Sequence, residues 1–448
     1  MSALAQTPLP APSGRPLEID LASDPVLQLR RQQSDFGPFR DAIVAVVERH
    51  PGTFESAAAE DEAQAGLEEA REARLPTVDL SVTSYRVIAR DFSNDPTNII
   101  ERSRPRQRTD AIASVSQTLF DFGAGAHRET AAGARLRAAA ADLESAADRI
   151  AINAIAAWYE VFGFRALVSL TESFVLSQRE LRAAVEMRIR EGASAEGDLA
   201  RVDSYIAQSE ARLAIFRRRL ANAEARFDEL TGVPAPANLA RAPAPALSIA
   251  NREEASLAGM EAAPARTARA IADASRNEAR AARADRLPQI TAGVDAGRYG
   301  VIENDRDYDI RGRIALRYRL FGGADPRAEQ TEARARSSAA RADRITEEAS
   351  RDAAIAWTDV RALEQQLDAL EAAYVAGRRS RDVIVERFRA ARGTLFDVIA
   401  AEDAYFETAT AYIQALTELD AARYILLSRT GRLLDVLQIN PDRLRGEG

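Results

Sequence analysis

Asp198 and Asp397 are the residues whose chemistry and placement say most. Each opens a helical stretch after a short turn, REGASAEGDL from Arg190 to Leu199 and AARGTLFDVI from Ala390 to Ile399. An aspartate at a helix start is an N-terminal cap worth about 1 kcal/mol. Copies of it converging on a narrow passage would also repel one another and attract cations. Other reactive chemistry is sparse. His50 and His127 are the only imidazoles, and the lack of cysteine argues against disulfides, thiolate metal sites and a lipid-modified N-terminal cysteine. No paired-carboxylate or Ser/His/Asp pattern stands out, and Gly123-Ala124-Gly125 lacks the context of a phosphate loop. The expectation is a protein that is not an enzyme and takes no cofactor and no metal. The 60 basic residues are all arginine, interspersed with acids under a net charge of -8, so nucleic acid is not an expected partner.

The elements that position these aspartates occur twice. Leu75, Phe120, Trp158, Gly192 and Asp198 return in order as Leu287, Phe321, Trp357, Ala391 and Asp397, with both Trp158 and Asp198 recurring 199 residues later. Such a repeat dictates architecture before any local motif does. In each copy a Leu-Pro leads an alternating segment, a polar loop follows, a second alternating segment ends in Leu-Phe, and two long helices flank the turn. Strands are expected at about 78–88, 111–120, 290–299 and 308–320. In the last, Tyr308, Ile310, Ile314, Leu316, Tyr318 and Leu320 share one face, while Asp309, Arg311, Arg313, Arg317 and Arg319 share the other. Strands of about ten residues match a bilayer crossing, yet four strands leave edges that lipid does not tolerate, so a membrane reading requires several copies to pool them.

The helices are long. The stretches of about 126–190 and 326–389 contain no interior proline and could each extend roughly 95 Å. Ala349, Ala353, Ala356, Val360, Leu363, Leu367, Leu370 and Tyr374 follow the 3.5-residue repeat of coiled coils. The first copy shows that seam from Leu136 to Val168 and a second through Ala151, Ile155, Trp158 and Phe162, so its helix has neighbours on two sides. Return helices are expected from about 198 to 231 and 397 to 437. The resulting organisation is an extended N-terminal segment at 1–34, a first repeat at 35–240, a second at 241–437 with a helix at about 252–286, and a tail at 438–448. Ala3-Leu4-Ala5 before Gln6 reads as a remnant of a secretory signal.

With LPTVDLSV at Leu75, LPQITAGV at Leu287, SQTLFDFG at Ser116, YRLFGG at Tyr318, the two tip turns and the duplication, the chain resembles the TolC-type outer-membrane channels of type I secretion and efflux, from about Phe36 to Leu437. The resemblance implies an α+β membrane protein and a homotrimer. Its helical hairpins would form a periplasmic α-barrel, and four strands per chain would contribute to a twelve-stranded β-barrel in outer-membrane lipid. It also implies passive exit of cargo delivered by a periplasmic adaptor and an inner-membrane ABC or other pump, with type I secretion favoured over drug efflux. The tip or gate would comprise Gly192, Asp198, Phe388, Ala391, Gly393, Asp397, Glu402 and Asp403. A second tip aspartate usual in the family is Ala400 here. Arg311, Arg313, Arg317 and Arg319 would line the barrel lumen. A periplasmic coiled-coil adaptor or scaffold is the alternative.

Overall fold

The computed structural model describes residues 8–445 except 17, 32–33, 94, 244, 246–247, 304–306 and 320. Ala3-Leu4-Ala5 and Leu320 lie outside the described residues. In chain order the elements are α1 (Pro25–Arg31), α2 (Phe36–Arg49), α3 (Pro51–Glu72), β1 (Thr77–Arg86), α4 (Ile99–Ser103), β2 (Gln107–Phe120), α5 (Ala124–Arg190), α6 (Glu196–Thr231), α7 (Arg252–Met260), α8 (Ala263–Ala284), β3 (Gln289–Tyr299), β4 (Asp307–Arg317), α9 (Ala324–Arg389), α10 (Leu395–Arg429), α11 (Leu433–Leu437) and α12 (Pro441–Leu444). They form two compact units, and each draws on both sequence repeats. One comprises the residues up to 57, 142–265 and those from 346 on; the other comprises 58–141 and 266–345.

Four expectations need correction. The N-terminal segment is not extended throughout: Asp24 Oδ1 accepts from the amides of Val26 and Leu27 and starts α1 at Pro25, a proline-led helix whose Val26, Leu27 and Leu29 are buried. The single helix expected at 252–286 is two, α7 and α8, because Pro264 has no amide proton for the carbonyl of Met260. The last return helix stops at Arg429, and α11 follows Gly431, whose backbone is left-handed. β4 ends at Arg317, so Tyr318 and Arg319 lie off the ladder. Its partner β3 begins at Gln289, directly after Pro288, which cannot extend the pairing.

The core of the first unit is built on the two seams read from α5. Leu143, Ala147, Ile150, Ala154, Ala157 and Val161 are buried, and so are Ala151, Ile155, Trp158 and Phe162. Phe39 of α2 meets Trp158 edge-on at 5.2 Å between ring centroids and Tyr424 of α10 at 5.6 Å. The connection between the repeats is fixed by polar contacts within this core. Trp158 Nε1 donates to the Ala240 carbonyl at 3.0 Å, and the buried Arg241 guanidinium donates to both carboxylate oxygens of buried Asp420, at 2.5 and 2.8 Å. Arg241 also donates to the carbonyls of Leu29 and Arg30, tying α1 to the same point.

A second buried charge cluster holds the N-terminal segment against α9 and α10. Asp24 accepts from Arg378 and from the Tyr374 hydroxyl, which lies 2.7 Å from the Tyr405 hydroxyl. Arg381 is fully buried. It contacts Asp382 at 2.7 Å and Glu402 at 3.5 Å, donates to the Pro10 carbonyl at 2.9 Å and stands 4.5 Å over the Tyr405 ring. Three carboxylates thus face two guanidiniums, and burial pushes Asp382 and Glu402 above the usual carboxylate range.

The two long helices end alike. After α5, Gly192 has φ +72°, its amide bonds the Ile189 carbonyl, and the Ala193 amide bonds the Arg188 carbonyl. After α9, Ala391 has φ +58°, its amide bonds the Phe388 carbonyl, and the Arg392 amide bonds the Arg387 carbonyl. Both are Schellman ends with the left-handed position at the same point of the repeat. That position is Ala391 in the second copy, not Gly393, so a side chain sits where glycine costs nothing.

Ala391→Gly is expected to raise unfolding stability by about 1 kcal/mol through relief of the left-handed alanine; an unchanged or lower melting temperature would contradict the assignment. The raised carboxyls give a signed pH dependence. Above the ordinary carboxylate range the folded chain retains protons that the unfolded chain has released, so this cluster's contribution to stability falls as pH rises. Glu402→Gln should therefore leave stability near pH 4 unchanged and flatten the decline as pH rises above the ordinary carboxylate range, measured as melting temperature of the detergent-purified protein.

Candidate channel elements

The second unit carries one antiparallel sheet in the order β1-β2-β3-β4. Its register converts the alternation of each strand into two continuous faces. On one face the rows read Val82-Ala111-Arg298-Tyr308, then Leu80-Ala113-Ala296-Ile310, then Val78-Val115-Val294-Gly312, continuing through Ala292-Ile314 and Ile290-Leu316. On the other, Asp79-Ser114-Asp295-Arg311 and Thr77-Ser116-Gly293-Arg313 form successive rows. The apolar side chains are not covered: Leu80 is 77 % exposed and Ile314 79 %. Among the described residues the ladder runs only between neighbours, so the outer edges of β1 and β4 have no strand partner there.

Arg311, Arg313 and Arg317 lie on the polar face, as their alternation requires. Arg311 donates to Asp309 and Arg313 lies 3.9 Å from Asp295, with its stem over Gly293. Arg319 is exposed but beyond the strand. Below the sheet ends, the helices of this unit border a polar cleft of about 970 Å³, with Arg74, Arg128, Arg327 and Arg334 in its wall. Arg74 pairs with Glu129 and Arg128 with Asp285.

In the first unit the structure brings together the tips of both helical hairpins. Val185, Val202, Val385, Phe388, Leu395 and Val398 form a separate small apolar core. Arg188 caps it: its guanidinium lies 4.3 Å over the Phe388 ring and donates to the Phe388 carbonyl at 2.8 Å. Higher up, Arg212 of α6 bridges Asp403 at 2.9 Å and Glu407 at 3.0 Å on α10. Phe388 is therefore a tip residue by packing. Gly192, Ala391 and Gly393 shape the turns.

The tip acids are all engaged. The Asp198 carboxylate accepts from the Ala195 amide at 3.3 Å. Asp397 accepts from the Thr394 hydroxyl at 2.7 Å, while its own amide donates to that oxygen at 3.2 Å, a reciprocal capping box. Glu402 is turned inward to Arg381, and Asp403 is held by Arg212. Four acids read as one group thus occupy three environments. Arg188, Arg212 and Arg381 were missed because arginines recur throughout these helices; of the three, only Arg188 stands next to a repeat-related turn. His50 Nδ1 accepts from the Gly52 amide, a capping role. No group of three or more metal-ligating side chains occurs among the described residues.

Comparison with known proteins follows from this geometry. Residues 43–233 match the family model described as outer membrane efflux protein. The outer membrane efflux protein BepC of Brucella suis biovar 1 (strain 1330) is 23 % identical over 347 residues, covering 73 % of this chain and 74 % of that protein. Among solved structures, the outer membrane protein VceC of Vibrio cholerae is similar with a TM-score of 0.77 at 18 % identity, over 88 % of this chain and 96 % of that one. The outer-membrane channel OprN is similar at 0.78 and 18 %, over 90 % and 91 %. The CmeC outer membrane channel of Campylobacter jejuni is similar at 0.75 and 14 %, over 94 % and 92 %. Residues 43–233, most of the first repeat, thus carry the pattern of outer membrane efflux proteins, and the chain has the fold of TolC-type outer-membrane channels over most of its length.

Proposed function

We propose that three copies of this chain form a channel that gives passive exit to cargo from a tripartite export system. The observation carrying this reading is the sheet: one continuous apolar face, one polar face and two strand edges left without partners. In hydrocarbon such edges must be satisfied by other strands. Three four-stranded sheets close a barrel of twelve, the count that the resemblance to TolC-type channels implies. The polar face then lines water and the apolar face meets lipid. No step of chemistry is asked of the chain; energy would come from an inner-membrane pump reached through a periplasmic adaptor at the helical tips.

For cargo we favour polypeptide. The polar face carries Thr77, Ser81, Ser114, Ser116 and glycines beside mixed charges, with Ile112, Tyr85 and Tyr299 among them, so most of this wall offers a hydrophobic solute little to hold. The similarity to BepC, an outer membrane efflux protein, supports the second reading, small-molecule efflux. Secretion of a polypeptide substrate by cells lacking this chain, set against their drug susceptibility, separates the two.

Two experiments test the channel itself. Val294→Arg, in the middle row of the apolar face, should cost about 2–4 kcal/mol per chain in the bilayer and reduce heat-stable trimer, whereas Ser114→Arg on the opposite face should assemble normally. Equal tolerance of both, or a monomer soluble without detergent that gives no conductance in planar bilayers, would refute the reading. At the tip, Asp397→Asn keeps a capping acceptor and removes the charge. If the acid constricts the entrance, its resting conductance should rise and block by divalent cations should weaken; an unchanged current assigns Asp397 to capping alone.

A further inference from the structure

The apolar face of the sheet carries two charged residues among the described strand positions, and both are arginines near one end. Read along the register, this face comprises even positions of β1, β3 and β4 and odd positions of β2 up to the bulge near Thr118. It contains no carboxylate: Asp79, Asp110, Asp295 and Asp309 all fall on the other face. Arg298 lies in the row of Val82 and Tyr308, and Arg86 lies two rows further on, opposite Gln107. Both arginines are exposed. They stand at the end of the strands where the β1–β2 and β3–β4 connections lie, opposite the end that joins α3, α5, α8 and α9.

The adjoining loop continues the same pattern. Ile88 is fully exposed, Ile99 and Ile100 of α4 are exposed, and the basic run around Arg102, Arg104 and Arg106 follows them. Arg90 shapes the loop by donating to the Arg104 carbonyl at 2.6 Å. An apolar belt ending in guanidiniums, an exposed tyrosine and outward isoleucines is matched to the boundary of a bilayer, where acyl chains give way to headgroups. Guanidinium further selects the headgroup chemistry, because its planar fork pairs bidentately with phosphate.

We propose that Arg86 and Arg298 form a binding site for a phosphate-bearing lipid of the outer leaflet, with Tyr308 and the isoleucines of the β1–β2 loop against its acyl region. The inference rests on the apolar face being the lipid-facing one. The site selects lipids with exposed anionic phosphate over zwitterionic ones, and it anchors the outer rim of the barrel at a fixed depth.

The test uses the full-length assembled protein in detergent and diphosphoryl lipid A as the probe, with binding followed by native mass spectrometry. Arg86→Ala/Arg298→Ala should bind the probe at least tenfold more weakly, as expected for losing two membrane-surface cations. Arg252→Ala, on α7, should bind as the parent does. Inorganic phosphate at millimolar concentration should not displace the lipid. Unchanged affinity in the double variant, an equal loss in Arg252→Ala, or full displacement by inorganic phosphate would overturn the proposal. If the double variant does not assemble, Arg86→Gln alone, at the end of its strand, should weaken binding measurably, and Arg86→Lys should retain more of it than Arg86→Gln; no loss in Arg86→Gln overturns the proposal. Failure of the parent protein to insert into phosphatidylcholine vesicles would count against the lipid-facing reading, whereas normal insertion without phosphate preference counts against this site.

Discussion

Each unpaired backbone amide or carbonyl in hydrocarbon costs several kcal/mol, and on the proposed function this constraint governs the four-stranded sheet. A sheet that ends at β1 and β4 exposes two rows of such groups. Closure by further copies would satisfy them, and closure would in turn demand that all four strands keep one register. Sliding β4 by one residue against β3 would turn Arg311 and Arg313 toward lipid, at about 2–4 kcal/mol each near the midplane. The alternation of β4, strict to the point of placing three arginines and two aspartates on one side, therefore fixes its pairing. Each sequence repeat contributes a strand pair to this sheet and a helical hairpin to the other unit, so duplication of the chain doubles both parts of the conduit together.

The helical unit shows how one repeat was adapted to two surroundings. Arg182 and Asp203 of the first hairpin pair at 2.5 Å in the open, half-exposed. Their counterparts 199 residues on are Arg381 and Glu402, which pair at 3.5 Å while buried. The second hairpin differs because parts of the N-terminal segment lie against it, bringing the Pro10 carbonyl to Arg381 and Asp24 to Arg378. Exposed pairs of this kind contribute about 0–1 kcal/mol, whereas removing one partner of a buried pair costs several. The same contact is thus a minor surface feature in one copy and the fastening of the N-terminal segment in the other.

Period and repetition were legible in the sequence; coverage was not. The strands, the long helices and the seam residues from Leu143 to Val161 follow from spacing alone, because burial on one face writes a period into the chain. The misread points each depended on a specific partner. α1 hides behind a Ser-Asp-Pro start within a proline-rich stretch, and the first four residues of β2, Gln107 to Asp110, lack alternation because they pair with the polar end of β1. Glu402 and Asp403 looked like neighbours of Asp397 in one acidic group. Helical geometry separates them: one faces Arg381 in the interior and the other Arg212 on α6. A linear reading sees the charges and not which side of the helix meets a guanidinium.

Those pairings bear on how an aperture at the tips could change. Within one chain the two hairpins share the core of Val185, Val202, Val385, Phe388, Leu395 and Val398, closed by Arg188 over Phe388. Parting them would expose six apolar side chains, each worth about 1.5–3 kcal/mol when buried. The surface pair of Arg212 with Asp403 adds comparatively little. Untwisting the second hairpin against the first is therefore the costly movement. In a trimer the two tips of one chain would travel as a single body, and dilation would have to be taken up where one chain meets the next. The engaged state of Asp198 and Asp397 fits that division: capping holds each turn rigid, while their charges remain close enough to the surface to be felt by a neighbouring copy.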